Sequence, residues 1–132
     1  MENHELISLA KQKMKPKRVN SRIKVSDAVC VAISAKGNVY YAYSLRASCG
    51  LGGCAEQFLI AEMLKNDEYH ISKLVVLDEL GNLLPPCGRC CELITQLAPE
   101  NKETQIVLSD TQSITLNKIF CLDWKDVKNA TL

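Results

Sequence analysis

The stretch LGGCAEQFLIAEMLKNDEYHISKLVVLDE, residues 51–79, passes from a glycine-rich loop through a helix-like segment into a short run dense in Ile, Val and Leu. Phe58, Leu59, Ala61, Glu62 and Leu64 fit an amphipathic helix that ends before Asn66, and residues 71–79 fit a buried strand. Glu56 is the anomaly. It places a carboxylate two residues after Cys54, where an otherwise apolar helix begins.

Outward from this core, the flanking elements follow from turn and breaker residues. Upstream, DAVCVAIS (27–34) and NVYYAYSL (38–45) are rich in β-branched and aromatic residues around AKGN, which predicts a β-hairpin with Tyr40, Tyr41 and Tyr43 as sheet residues. Residues 5–14 carry Leu6, Ile7, Leu9, Ala10 and Met14 at helical spacing, and Pro16 stops that helix. Downstream, LGN (80–82) and Pro85-Pro86 lead into a third helix, CGRCCELITQLA (87–98), with Pro86 suited to its first position and Pro99 ending it. TQIVLSD (104–110) reads as a strand, and SITLNKIF (113–120) fits strand or helix. The order implies a mixed sheet: an antiparallel hairpin joined to strands linked by helical crossovers, helices on its faces.

Composition bounds the function. At 132 residues without repeats or linkers, the chain is expected to form a single domain over 1–132. Its net charge of +1 favours no nucleic-acid partner, and the basic cluster Lys11 to Arg18 reads as a solvated helix end and linker. No apolar run reaches the roughly 18 residues of a membrane helix, and the N-terminus lacks a secretory pattern, so a soluble, cytoplasmic protein is expected. Seven cysteines in a reducing compartment are thiols, ligands or redox groups rather than a disulfide framework.

Two local patterns carry the chemistry: Cys54-Ala55-Glu56 at the start of the second helix and Pro86-Cys87-Gly88-Arg89-Cys90 at the start of the third. Helix N-termini favour thiolate over thiol, and thiolates bind zinc. Three such ligands leave one tetrahedral position for water, the mark of a catalytic rather than a structural site. Glu56, beside the metal without binding it, is placed to take a proton from that water and pass it to a substrate.

The pair CAE and PCGRC, with a helix and a strand between, resembles the signature of the zinc-dependent cytidine deaminase family. The all-cysteine ligand set, short length and glycine-rich loop are similar to its compact homotetrameric class, which includes blasticidin-S deaminases. The resemblance runs from about Ser21 to Val107. It implies an α/β three-layer fold, with a mixed sheet of about five strands and helices on both faces. It further implies a Zn²⁺ site at Cys54, Cys87 and Cys90, Glu56 as proton shuttle, and hydrolytic deamination at C4 of a cytosine-type nucleoside. By the same resemblance the backbone of Ala55 and of Pro85 contacts the pyrimidine, and the assembly is a homotetramer.

The sequence departs from the family in two places. Nucleoside-specific relatives carry an Asn-x-Glu element before the glycine-rich loop for the ribose hydroxyls; here the positions fall on Tyr43 and Leu45, or on Ser44 and Arg46. A cytosine-bearing antibiotic such as blasticidin S, or another modified cytosine, is therefore an alternative substrate. Many relatives also place an arginine after Cys-Ala-Glu; here it is Gln57, and Arg89 is expected to hold the charge of the thiolate site near neutral.

The remaining candidates have plainer readings. Cys30 and Cys121 read as packing residues, as does Cys91, although it follows Cys87 by one helical turn; Cys49 is an alternative fourth ligand. His4 and His70 read as surface groups, Phe120 and Trp124 as packing groups. Two remote rivals are a Cys-x-x-Cys redox protein, which leaves Glu56 unexplained, and a zinc protein without catalysis.

Overall fold

The computed structural model describes residues 1–121 and 123–127. Helix α1 (Asn3–Lys13) precedes strands β1 (Lys17–Arg18), β2 (Ile23–Ser34) and β3 (Val39–Ala47). Helix α2 (Ala55–Lys65), β4 (Ile71–Asp78), β5 (Leu83–Leu84) and α3 (Gly88–Leu97) follow. Strands β6 (Gln105–Val107) and β7 (Ser113–Thr115) and short helices α4 (Leu116–Ile119) and α5 (Trp124–Val127) complete the order.

Strand β2 pairs with β3 along one edge and with β1 and then β4 along the other. Strand β4 continues to β6 in the sheet's parallel pairing, across the α3 connection, and β6 pairs with β7. The expected sheet of about five strands is this β3-β2-β4-β6-β7 path; β1 and β5 bring it to seven.

Strand period explains the layers. Val29, Val31, Val75, Leu77 and Val107 face Leu6, Ile7 and Ala10 of α1. The intervening Cys30, Ala32, Leu74, Val76 and Ile106 face Leu59, Ile60 and Met63 of α2 and Cys91 and Ile94 of α3. Helices thus cover both faces. Burying a side chain such as Leu59, which is fully enclosed, contributes about 1.5–3 kcal/mol.

The structure corrects the phase of α2. Its buried face is Ala55, Glu56, Leu59, Ile60 and Met63, while Leu64 is 47% exposed and Ala61 and Glu62 face outward. The first turn dictates this phase: once Ala55 packs inward, its i+4 and i+8 neighbours must follow. At α3, Cys87 is the N-cap and Gly88 the first helical residue, so Pro86 precedes the cap rather than opening the helix. Helix α1 starts two residues earlier than its apolar spacing, because Glu2 and Glu5 form a capping box. The ambiguous segment 113–120 resolves as strand then helix, with Thr115 as N-cap. Within the basic cluster, Lys17 and Arg18 form β1 rather than linker. Phe120 packs on the core, whereas the side chain of Trp124 lies outside those described. No described helix is long and apolar enough to cross a membrane.

A bulge in β2 shapes the cleft described next. Ser26 adopts φ 67°, and the register shifts between Val25 and Val29, so β2 carries extra residues opposite Ser44. The Ser26 hydroxyl accepts the Lys15 N–H at 3.1 Å, and the Ala28 N–H donates to the Ser44 hydroxyl at 2.9 Å. Asp27, between them, is turned to the cleft wall.

Candidate metal centre

Cys54 is the N-cap of α2, and Cys87 is the N-cap of α3 with Cys90 three residues on. Strands β3 and β4 both run antiparallel to β2, so the helices that follow them start at the same end of the sheet, and their caps meet. The three Sγ atoms lie within 4.8 Å of one another, with Cys54 and Cys87 at 4.0 Å. Sulfurs on a tetrahedral zinc, each about 2.3 Å from it, stand about 3.8 Å apart, so this donor set fits the ion with small adjustment. Cys49 and Cys91 fall outside the cluster: Cys49 is exposed, and the buried Cys91 donates its S–H to the Pro86 carbonyl at 3.6 Å.

The thiols are not equivalent. Burial pushes Cys87 up, but the N–H groups of Cys90 and Arg89 and the neighbouring thiols outweigh it, leaving Cys87 below an ordinary thiol. Burial raises Cys54, and Cys87 and Glu56 raise it further. Cys90 is raised most strongly, by burial and then by the Glu56 charge. A bound cation would override these differences, because a coordinating thiol loses its proton outright.

Cys54, Cys87 and Glu56 line one cleft of about 550 Å³. Glu56, only 5% exposed, stands in the first turn of α2. Ala55 and Pro85 are also on the wall, as are Ala28, Leu45, Val76 and Leu84, which make it largely apolar. Arg89 is exposed at the cleft; its backbone N–H, not its guanidinium, reaches Cys87. The glycine-rich loop closes the cleft by pairing with β3: Gly53 N–H donates to the Leu45 carbonyl at 2.8 Å, and Leu45 N–H to that of Gly53 at 2.9 Å. Gly52 is required here, since a Cβ would lie 2.1 Å from the Leu45 carbonyl oxygen.

Motif spacing located the sulfurs and Glu56, but not Ala28, Val76 or Leu84, which reach the cleft from separate strands. Strand alternation was the available signal for Val76.

The model of the cytidine and deoxycytidylate deaminase zinc-binding region matches residues 1–105. The chain belongs to this family. Its class is accordingly that of the hydrolytic deaminases acting on cytidine-type substrates. Solved structures carry the fold likeness. Cytidine deaminase from Mycobacterium tuberculosis superposes with TM-score 0.72 at 21% identity, over 90% of this chain and 94% of that one. Cytidine deaminase from Bacillus anthracis gives 0.71 at 18% identity, over 95% and 91%. That from Burkholderia pseudomallei gives 0.70 at 20%, over 90% and 96%. No curated protein sequence matches the chain.

Proposed function

We propose that this deaminase removes the C4 amino group of a cytosine-type nucleoside or derivative as ammonia, using Zn²⁺ held by Cys54, Cys87 and Cys90. The observation that carries this reading is the buried Glu56 on the cleft wall beside three converging sulfurs. When bound, the ion supplies Lewis-acid activation of a water molecule. Glu56 accepts one proton from the attacking water and delivers it to the ring nitrogen; as the added hydroxyl becomes the C4 carbonyl, Glu56 takes its proton and passes it to the departing amine, which leaves as ammonia. The low exposure of Glu56 keeps bulk water from competing for that proton. The backbone of Ala55 and of Pro85 orients the ring, and Arg89 offsets the negative charge of the thiolate set.

A modified cytosine such as blasticidin S is the second reading, supported by one observation. Ser44, Leu45 and Arg46 line the cleft in the segment where either placement of the relatives' Asn-x-Glu element falls, and none of them is Asn or Glu. A single domain, a homotetramer, a cytoplasmic setting and a place in pyrimidine nucleoside metabolism complete the proposal.

Replacing Glu56 with alanine tests the mechanism. The expected result is about one zinc per chain retained, an unchanged circular dichroism spectrum, and turnover lower by about 10²–10⁴-fold in an ultraviolet and ammonia-release assay. A variant that keeps near-normal turnover overturns it.

A further inference from the structure

Pro85 and Pro86 have no N–H, so the loop from β5 to α3 supplies no backbone donor over these two residues, and it is held through its carbonyls. This short loop carries two parts of the site: Pro85 on the cleft wall, and Cys87 of the thiol cluster at the cap of α3. Its near end is fixed to the sheet, because Leu84 pairs with Val76 of β4.

Its far end is held by Cys91. The Cys91 N–H donates to the Cys87 carbonyl at 2.9 Å, the bond that an N-cap carbonyl accepts in any helix. The thiol adds a bond that belongs to this side chain alone, donating its S–H to the Pro86 carbonyl at 3.6 Å. One residue thus takes two successive carbonyls of the loop. Cys91 is itself firmly seated: it is buried in the core beside Ile94, and its carbonyl accepts the Thr95 hydroxyl at 3.0 Å. The adjacent cysteines of α3 divide their roles, since the Cys90 sulfur joins the thiol cluster and the Cys91 sulfur reaches the loop.

We propose that Cys91 is a positioning residue for the deamination site. By holding the Pro86 carbonyl, its thiol sets where the Pro85 backbone meets the pyrimidine and where Cys87 presents its sulfur. An S–H···O contact is weak by itself. Its leverage comes from what the loop carries, because a displacement of about 1 Å at a reacting centre costs about 100-fold in rate. This rests on the deaminase reading and deepens it.

Three variants of the zinc-loaded enzyme separate the thiol bond from packing. Cys91→Ser keeps a donor, Cys91→Ala removes it, and Cys91→Val removes it while filling the space that alanine leaves. The readouts are kcat and KM with cytidine, the rate of zinc loss to a chelator, and the infrared S–H stretching band. The alanine and valine variants are expected to lower kcat by about tenfold and to speed zinc loss by a similar factor, with the serine variant within about threefold of the wild type. The band lost between wild type and Cys91→Ser should lie below the frequency of an unbonded thiol, a signature that packing alone does not produce. A serine variant no better than alanine and valine, wild-type kcat and zinc retention in either of those two, or an S–H band at the unbonded frequency overturns the inference. If the wild type does not turn over cytidine, that result counts against the substrate reading, while the chelator rates and the S–H band still decide the role of Cys91.

Discussion

Two glutamates are buried in this protein to almost the same degree, Glu56 at 5% exposure and Glu68 at 4%, and their surroundings make them opposites. Glu68 follows α2 and accepts on one oxygen, Oε2, from two donors: the Asn38 amide at 3.0 Å and the Tyr40 hydroxyl. The Ser34 hydroxyl, then Tyr40 and Asn38, hold its carboxyl below the usual range, and in return the Tyr40 phenol is pushed up to about 12. Glu56 instead faces a cleft and the sulfurs of Cys54 and Cys90, whose thiols its charge raises. A carboxylate locked in its ionised form by fixed donors holds structure. One left beside a cleft and a metal-competent cluster can move protons. Burial alone does not tell them apart; the neighbours do.

The comparison is broken most severely by closing the cleft over Glu56. Gly52→Ala drives a Cβ into the Leu45 carbonyl oxygen, and the backbone on both sides must shift. The expected outcome is loss of turnover by about 100-fold or more, as a displaced catalytic constellation gives, with about 1–3 kcal/mol of stability lost in denaturant titration. A variant with normal kinetics would show that the loop does not need that close approach.

Arg89→Ala probes the charge around Glu56 more gently. If the guanidinium offsets the thiolates, turnover should fall by about tenfold and zinc should be lost more readily to a chelator. Unchanged turnover together with unchanged zinc retention would discard the role.

The smallest effect is expected at the other glutamate, and it should appear in stability rather than chemistry. The pKa of Glu68 is depressed on folding, so its contribution is present above the ordinary value of about 4.5 and is lost as pH falls through the folded value. Glu68→Gln should therefore flatten the decline of unfolding free energy between about pH 5 and 3, with deamination at pH 7 unchanged. A variant with an unaltered acid limb would remove the distinction between the two sites.

Much of this was legible in the chain. Glu56 could be singled out because a charge two residues from a cysteine at a helix start is a local anomaly, readable at short range. The thiol cluster was legible because Cys54, Cys87 and Cys90 occupy two helix starts whose intervening helix and strand return the chain to one end of the sheet. Glu68, in the segment NDEYH, gave no such signal, since its donors come from residues 28 to 34 positions away. Asn101 was equally silent. It is fully buried, accepts the Ile71 N–H at 2.8 Å and donates to the Tyr69 and Ile94 carbonyls, joining the start of β4 to α3.

The sequence by itself determined most of the element types, the alternation that separates Val29 and Val31 from Cys30 and Ala32 on the two faces of the sheet, and the candidate residues of the thiol cluster. The first two depend on local spacing, and the third on two short motifs that resemble the family signature. Tertiary structure alone decided the phase of α2, the bulge that turns Asp27 to the cleft, and the pairing of the glycine-rich loop with Leu45. The phase of α2 depends on which side of its first turn packs on the sheet, and the others on strand register; both are set by the packing of distant segments rather than by any short stretch of residues.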